Sequence, residues 1–295
     1  MIIDMRCRLT TKEAGKYFYE RMRMTGRLSE IPALESGKIE DFFKEITKAG
    51  VTTAVSVSGN NPGMRLGTQI FPDRTASNDL LAEVQRKYPG KFIGIAGVDA
   101  GNVFHNAVEE IERCVKTLGL KAVYIEPGRS PGCRFNDRRL YPIFQKCVDM
   151  NVPIIPQMSG PVGGKYMDDA NPKYIDEVAE DFPDLHIICA HGCYPYVREM
   201  IVVAGRRENV WTSPDHYILR IGTEDWIRAV NENIYGFSNK FIFGSAYPLD
   251  PVKPIVDGFL KLPWKKELLD KILYKNAIKA LKLENDPAIK EIYKL

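Results

Sequence analysis

The sequence predicts an α/β fold in which eight strand–helix units close into a barrel, and three observations support this prediction. The chain has 295 residues, 44% hydrophobic and 27% charged, which is ordinary for a folded protein with a large core. Short β-rich runs recur roughly every 30 to 40 residues and alternate with amphipathic helical patterns, as in sheets of parallel strands. Eight units suffice for closure and no Gly-x-Gly-x-x-Gly motif follows an early strand, so a barrel is favoured over an open sheet.

The predicted strands are short and rich in apolar residues. They cover residues 1–5, 51–58, 92–98, 122–126, 153–157, 186–191, 209–213 and 240–245. The helical patterns cover residues 39–49, 78–88, 104–118, 139–151, 174–181, 196–207 and 223–233, with a helical tail at 267–283. Several of these helices end at Gly or Pro just before the next strand, as Gly50 shows. We expect a single barrel domain that spans residues 1–295 with helices at its carboxyl end.

The charge pattern argues against nucleic-acid and membrane partners. Lys and Arg number 41 against 38 Asp and Glu, a formal charge of +3 with no basic block. A charge appears at Asp4, and no uncharged apolar run approaches the length of a membrane span or signal segment. We therefore expect a cytoplasmic protein with small-molecule partners. The six cysteines lack a Cys-x-x-Cys spacing and are expected to be reduced and mainly structural.

Long segments that contain Pro, Gly and Ser follow several predicted strands. They cover residues 7–38, 59–75, 127–137 and 159–172. In a barrel of parallel strands, the loops at the carboxyl ends of the strands build the active site. We therefore expect the functional residues on these segments and at the strand ends that precede them.

A set of short motifs lies along the chain in a fixed order. They are Ile3-Asp4-Met5-Arg6-Cys7-Arg8, Ser77-Asn78, Arg139-Leu140-Tyr141-Pro142, Val152-Pro153-Ile154, Ala190-His191-Gly192, Phe243-Gly244-Ser245-Ala246-Tyr247-Pro248 and Lys275-Asn276-Ala277. In this order and spacing they resemble, nearly end to end, the amidohydrolase-related barrels of the aminocarboxymuconate-semialdehyde decarboxylase and 2,3-dihydroxybenzoate decarboxylase type. The resemblance implies an amidohydrolase-like TIM barrel, and it suggests a homo-oligomer.

The departures from the family pattern fall on its metal ligands. In the family, two histidines of strand one, a histidine at the end of strand five and an aspartate at strand eight hold a divalent metal. Here Arg6 and Arg8 take the strand-one places, Gln157 takes the strand-five place, and Ala246 takes the aspartate place. An arginine offers only hydrogen-bond donors and an alanine offers no ligand. We therefore expect a metal-independent site without a cofactor.

His191 is the candidate acid/base. It ends a predicted strand, and an imidazole can pass a proton in either direction near neutral pH. A lone histidine at a strand end is more often a core residue, but His191 matches the strand-six histidine that is a catalytic acid/base in the family. The resemblance therefore implies a catalytic role. Cys193 lies two residues further on, and a Cys–His nucleophile is an alternative.

Arg6 and Arg8 are the candidate anion anchors. They share strand parity with Asp4, so the three side chains leave the same face, toward the barrel axis or its mouth. Two guanidiniums there can bind a substrate carboxylate and stabilise an oxyanion or enolate. The alternative is an internal network in which Asp4 and Glu126 neutralise the arginines. Both interpretations stay open at this point.

Further acidic and imidazole groups stand at other strand ends. Glu126 closes the fourth predicted strand, where it can pair with an arginine or act as a catalytic base. Asp215 and His216 follow the seventh strand, as a second proton-donor set or as solvated loop residues. A relocated metal held by these residues and His191 is a further alternative.

Two classes of function remain. The first is a metal-independent enzyme acting on a small carboxylated substrate by decarboxylation or other C–C cleavage, hydration, or lactone or amide hydrolysis. His191, Glu126 and Asp215 are its expected catalytic residues, and Gln157, His216 and Tyr247 are expected to join the two arginines in binding substrate. The missing metal disfavours hydrolysis through a metal-bound hydroxide. The second is an inert barrel that binds a small molecule or serves as a scaffold, which the missing metal set favours and the retained histidine opposes.

Overall fold

The computed structural model describes residues 1–57 and 75–295, together with the backbone of two short strands at 64–66 and 69–71. The segment 59–75 is expected to be a loop at the active site. Apart from Thr75 and the backbone of these two strands, it lies outside the described residues. The last residue of the second predicted strand, Ser58, also lies outside them.

The strands match the predicted runs closely but are shorter at their ends. They are β1 (Ile3–Asp4), β2 (Thr53–Val57), β3 (Met64–Leu66), β4 (Gln69–Phe71), β5 (Phe92–Gly97), β6 (Val123–Ile125), β7 (Ile154–Pro156), β8 (Ile187–Ala190) and β9 (Val210–Ser213). Within the described chain, one parallel sheet has the order β1-β2-β5-β6-β7-β8-β9, while β3 and β4 pair antiparallel.

The eighth predicted strand, residues 240–245, is an irregular segment that closes the sheet. Phe241 bridges to β9 at Thr212, and Tyr247 bridges to Cys7 just after β1. The Arg8 amide donates to the Tyr247 carbonyl at 2.9 Å. Ala246 has a φ of 65°, which a regular strand does not adopt. The segment thus joins β9 to β1, and the predicted α/β barrel is confirmed, with an irregular eighth member.

The helices lie outside the sheet. They are α1 (Lys16–Met24), α2 (Pro32–Ser36), α3 (Ile39–Lys48), α4 (Asn78–Lys87), α5 (Val108–Glu112), α6 (Tyr141–Asp149), α7 (Lys173–Asp181), α8 (Val197–Arg206), α9 (Thr223–Asn231), α10 (Val252–Lys261), α11 (Asn276–Ala280) and α12 (Pro287–Tyr293). Helices α5 and α11 continue π-helical turns, at Val103–Ala107 and Lys271–Lys275. The sequence prediction missed α10 and α12, and it treated the region of α1 and α2 as a loop.

The barrel sheet is covered on both faces. Every residue of its seven regular strands is buried, as expected when helices surround a parallel sheet. The six cysteines are also buried, and none forms a disulfide. Across the described ranges, no helix combines the length and apolar character needed to span a bilayer. Most of the buried charged side chains follow the strand ends at the carboxyl edge of the sheet, among them Arg6, Arg8, Glu126, Arg129, His191 and Asp215.

Candidate active site

His191 and Asp215 form the centre of the site. They follow β8 and β9, whose last residues Ala190 and Ser213 are paired. His191 has a φ of 66° and Asp215 a φ of 46°, values that are uncommon for residues other than glycine and that often mark functional sites. At these turns the two side chains meet, with His191 Nδ1 2.6 Å from Asp215 Oδ2. Both residues are buried, so the alternative that Asp215 is a solvated loop residue is wrong.

Arg6 completes the central group. Its Nη2 lies 3.0 Å from His191 Nε2, and its Nε lies 3.7 Å from Asp215 Oδ2. A guanidinium can only donate, so Nε2 of His191 accepts, and Nδ1 carries the proton that faces Asp215. His191 is therefore a neutral imidazole whose lone pair lies on the nitrogen beside Arg6.

The electrostatic environment maintains this protonation state at neutral pH. Burial lowers the pKa of His191 to about 4, with Asp215 opposing this change and Arg6 adding to it. Burial alone would raise the pKa of Asp215, but the contacts with His191, His216 and Arg6 outweigh it and hold that pKa below its usual value. A neutral imidazole beside a carboxylate is the arrangement of a general base.

A cavity opens beside His191, and its described wall carries four arginines and no carboxylate. Its described lining consists of Arg6, Arg8, Tyr17, Phe18, Arg21, Arg129, Gln157, Val162, His191, Ala246 and Leu249. Two of these arginines have an acid behind the wall, Arg6 beside Asp215 and Arg129 beside Glu126. The described surface that faces the cavity still carries guanidiniums and no carboxylate, which favours an anionic ligand. The Oε1 atom of Gln157 is buried and has no hydrogen-bond partner among the described residues, so it can accept from a ligand.

Arg8 lies beside an aromatic part of this wall. Its Nη1 is 3.4 Å from the Val57 carbonyl, and its Nη2 is 3.5 Å from the Tyr124 hydroxyl. Its Cζ lies 5.6 Å from the ring centroids of both Phe18 and Tyr124. Guanidinium planes pack well against aromatic faces, and these contacts orient Arg8 in the cavity wall.

Glu126 holds a different arginine. Its Oε1 accepts from Arg129 Nη1 at 3.1 Å and from the Tyr124 hydroxyl at 3.0 Å. Arg129 also donates from Nε to the Val162 carbonyl at 2.9 Å. Of the two roles predicted for Glu126, the geometry provides the pairing with an arginine.

Asp4 does not neutralise Arg6 through its side chain. Its Oδ1 accepts from the backbone amides of Arg6 at 3.0 Å and Ser245 at 2.8 Å, and burial raises the pKa of its carboxyl. Asp4 thereby ties β1 to the closing segment. The carboxylate beside the Arg6 guanidinium is Asp215, so the alternative in which Asp4 neutralises an arginine does not hold for Arg6.

His216 and Tyr247, both expected to bind substrate, are placed behind the described cavity wall. His216 is buried, and its Nδ1 lies 2.6 Å from Asp250 Oδ2. Tyr247 is fully buried, with its ring centroid 6.2 Å from that of Phe42 on α3, because the pairing with Cys7 sets it in the core. Neither side chain is part of the described cavity lining, so the geometry does not support the expected substrate contacts.

The donor set at the family's metal position does not fit a divalent cation. Arg6 and Arg8 offer only N–H groups there, Ala246 offers no ligand, and a single neutral oxygen, Gln157 Oε1, remains in this set. The described ranges contain no group of three His, Cys, Asp or Glu side chains placed to hold a metal. The alternative of a relocated metal also lacks support, since the ring nitrogen of His191 that could bind it, Nε2, faces the Arg6 guanidinium at 3.0 Å.

The cysteine alternative also lacks a suitable environment. The Cys193 thiol is buried, with Sγ 3.2 Å from Cys189 Sγ, and burial raises its pKa well above the usual value. A nucleophilic cysteine requires a lowered thiol pKa and access to substrate.

Arg21 and Arg129 also line the cavity, but they were not identified from the sequence. Arg21 lies on α1, one turn after Tyr17 and Phe18, and this spacing places all three on one helix face. Arg129 follows Pro127 and Gly128 directly after a strand end. The helical spacing and the strand-end position were the signals that could have identified them.

Comparisons with known proteins agree with this architecture. A family model described as amidohydrolase matches residues 7–283. An uncharacterized TIM-barrel protein of Bordetella bronchiseptica is 32% identical, covers 95% of this chain and 98% of its own, and has a TM-score of 0.80. A dihydroxybenzoic acid decarboxylase of Polaromonas sp., solved with manganese and 2-nitroresorcinol, is 17% identical with 98% coverage of both chains and a TM-score of 0.70.

The match to a curated enzyme is partial. A 2-keto-4-carboxy-3-hexenedioate hydratase of Sphingobium sp. is 27% identical over 138 residues, which span 41% of this chain and 40% of the hydratase. The similarity therefore covers less than half of that enzyme.

Proposed function

The chain belongs to the amidohydrolase family, and from this premise we propose that it is a metal-independent enzyme that adds water to a small substrate carrying two or more carboxylates. The observation that carries the proposal is the contact between Arg6 and His191. A guanidinium stands at the family's metal position, and it faces the unprotonated nitrogen of a histidine held by Asp215.

The arginines of the cavity supply substrate binding. Three segments bring arginines to one cavity: the chain after β1 carries Arg6 and Arg8, α1 carries Arg21, and the loop after β6 carries Arg129. A guanidinium binds a carboxylate through two parallel hydrogen bonds. One carboxylate cannot engage guanidiniums spread over several walls, so a substrate with two or more acid groups fits best. We assign Glu126 to the support of Arg129, not to proton transfer.

Substrate binding also activates the base. A carboxylate that binds Arg6 offsets the charge that lowers the pKa of His191, and it draws the guanidinium away from Nε2. The freed lone pair then faces the cavity. Asp215 holds the Nδ1 proton and stabilises the imidazolium that forms when Nε2 gains a second proton.

The reaction proceeds by proton transfer. Water gives a proton to His191 Nε2 as its oxygen bonds to the electrophilic carbon of the substrate, and the displaced electron pair forms an enolate or oxyanion beside the arginines. In hydration of a C=C bond, the imidazolium returns the proton to the neighbouring carbon. In lactone hydrolysis it returns the proton to the leaving oxygen.

Decarboxylation fits this site less well. A decarboxylase must deliver a proton to the substrate carbon that loses CO₂, and Nε2 carries no proton in the resting site. The partial similarity to a hydratase points in the same direction as the geometry.

The experiment that tests the proposal follows the fate of water. The protein is incubated with unsaturated di- and tricarboxylates and with carboxylated lactones in isotopically labelled water, and products are identified by mass spectrometry. We expect a product that gains one labelled oxygen, and we expect His191→Gln to slow its formation by about 10² to 10⁴. His105→Gln, a change in an exposed helical segment, is the matched control. The proposal would be contradicted if the substrate lost CO₂ and the organic product gained no labelled oxygen. It would also be contradicted by binding without turnover, as in the inert-barrel alternative.

A further inference from the structure

A second histidine–aspartate pair stands directly behind the first. His216 follows Asp215 on the same helical turn, Asp215–Leu219, and its Nδ1 lies 2.6 Å from Asp250 Oδ2. The His216 side chain is 6% exposed and the Asp250 side chain 14%, so the pair is largely shielded from solvent. The proposed reaction assigns no role to this pair.

Asp250 is fixed as a carboxylate. Arg27 Nη2 lies 3.3 Å from its Oδ1 and Arg220 Nη2 lies 3.4 Å from its Oδ2. The hydrogen bond from His216 lowers the pKa of Asp250 to about 2. An ionised carboxylate can only accept, so His216 carries a proton on Nδ1.

The opposite nitrogen of His216 faces the first pair. Its Nε2 lies 4.0 Å from Asp215 Oδ1, and both atoms are buried without a hydrogen-bond partner among the described residues. With only Nδ1 protonated, two buried acceptors would face each other, which is unfavourable. A second proton on His216 converts this contact into an ion pair.

The remaining charged and titratable groups around His216 are few within the described chain. The Tyr217 ring lies 4.5 Å away between centroids, in an edge-on arrangement. Arg27 and Arg220 act through Asp250, while His191 and Arg6 act through Asp215.

We infer that His216 is a positioning residue. As an imidazolium between Asp250 and Asp215, it holds Oδ1 of Asp215 in place and partly neutralises the negative charge of Asp215. Asp215 then draws the proton of His191 less strongly. His191 stays neutral and keeps its accepting nitrogen toward the cavity. His216 acts without touching substrate, and the inference rests on the proposed function only in that His191 is the base.

The test measures His191 in the resting protein, so it does not depend on finding a substrate. The chain has four histidines, and their imidazole signals can be assigned by single replacements and titrated by NMR. In His216→Gln, which can still donate to Asp250 but carries no charge, we expect the pKa of His191 to rise by about one unit. In Asp250→Asn, the loss of the carboxylate disfavours the second proton on His216, so we expect the pKa of His191 to rise in this variant too.

His186→Gln is the matched control. His186 lies just before β8, where its Nδ1 is 3.1 Å from the Ala280 carbonyl, and the structure gives it no contact with either pair. We expect the pKa of His191 to be unchanged in His186→Gln. In the unaltered protein, ¹⁵N shifts should show both nitrogens of His216 protonated at the pH where His191 is neutral, a result that does not depend on any variant folding.

The inference is overturned if His216 is a neutral tautomer in the unaltered protein, or if His191 titrates unchanged in folded His216→Gln and Asp250→Asn. A purely structural role would lower thermal stability without moving the His191 titration. Once a substrate is known, the acid limb of kcat/KM should move upward in His216→Gln while KM changes little. Failure of the proposed reaction is a separate result, because it concerns turnover and not this titration.

Discussion

Replacement of Arg6 by methionine probes the contact on which the site depends. Met keeps an apolar stem of similar reach but removes the charge beside His191. Two unit charges about 4 Å apart interact by about 4 kcal/mol at an effective dielectric constant of about 20, equivalent to about 3 pKa units. The charge of Arg6 is spread over its guanidinium, of which only Nη2 lies 3.0 Å from Nε2, so we expect about half of that effect.

The pKa of His191 is about 4 in the unaltered protein, and we expect a value between about 5 and 6 in Arg6→Met. The assay is an NMR titration of the imidazole signals. Arg21→Met is the matched control, because Arg21 lines the same cavity and donates to the Tyr17 hydroxyl at 3.3 Å instead of contacting His191. An unchanged midpoint in Arg6→Met, or an equal rise in both variants, would refute the assignment.

Three further outcomes follow from the site. The pKa of His191 is about 4 in the folded protein and 6.5 in a free imidazole, so the unfolded chain binds more protons between these pH values. The free energy of unfolding should therefore fall by on the order of 3 kcal/mol as the pH drops from about 6.5 to 4. Denaturant titrations of His191→Gln should lack this pH-dependent loss. Arg8→Lys keeps the charge but cannot form two parallel hydrogen bonds to a carboxylate, so calorimetry should show about tenfold weaker binding of a dicarboxylate. The denaturation midpoint of this variant should be nearly unchanged. In Gly244→Ala, the new Cβ would lie 2.7 Å from Ser213 Oγ and 3.1 Å from Arg6 Cγ, so activity assays should show reduced turnover from a displaced Arg6.

Much of the barrel could be predicted from the sequence because its strands are regular in spacing. Seven of the eight predicted runs contain a regular strand of the parallel sheet. The eighth run, 240–245, closes the barrel through isolated bridges at Phe241 and, just past its end, at Tyr247. The left-handed backbone of Ala246, which follows the run, is not encoded by apolar periodicity. Helix α1 was missed because its sequence, KYFYERMRM, buries only Phe18 and Met22 and so carries a weak apolar stripe.

The site could be predicted in part. Strand parity and strand-end position place Arg6, Arg8 and His191 on one cavity, as expected. The orientations of His216 and Tyr247 depend on local backbone angles and pairing after the strands end, which strand parity does not describe. Long side chains that enter the cavity from helices and loops depend on packing between distant segments, and the sequence pattern does not reveal that packing.

In the proposed reaction, arginines and a histidine act without a metal ion. The most direct measurement compares turnover before and after removal of metal, with elemental analysis of the same samples. We predict an unchanged rate in protein that holds far less than one divalent ion per chain, with no gain when manganese or zinc is added. Turnover that stops on metal removal and returns in proportion to bound metal would show that the reaction needs the metal.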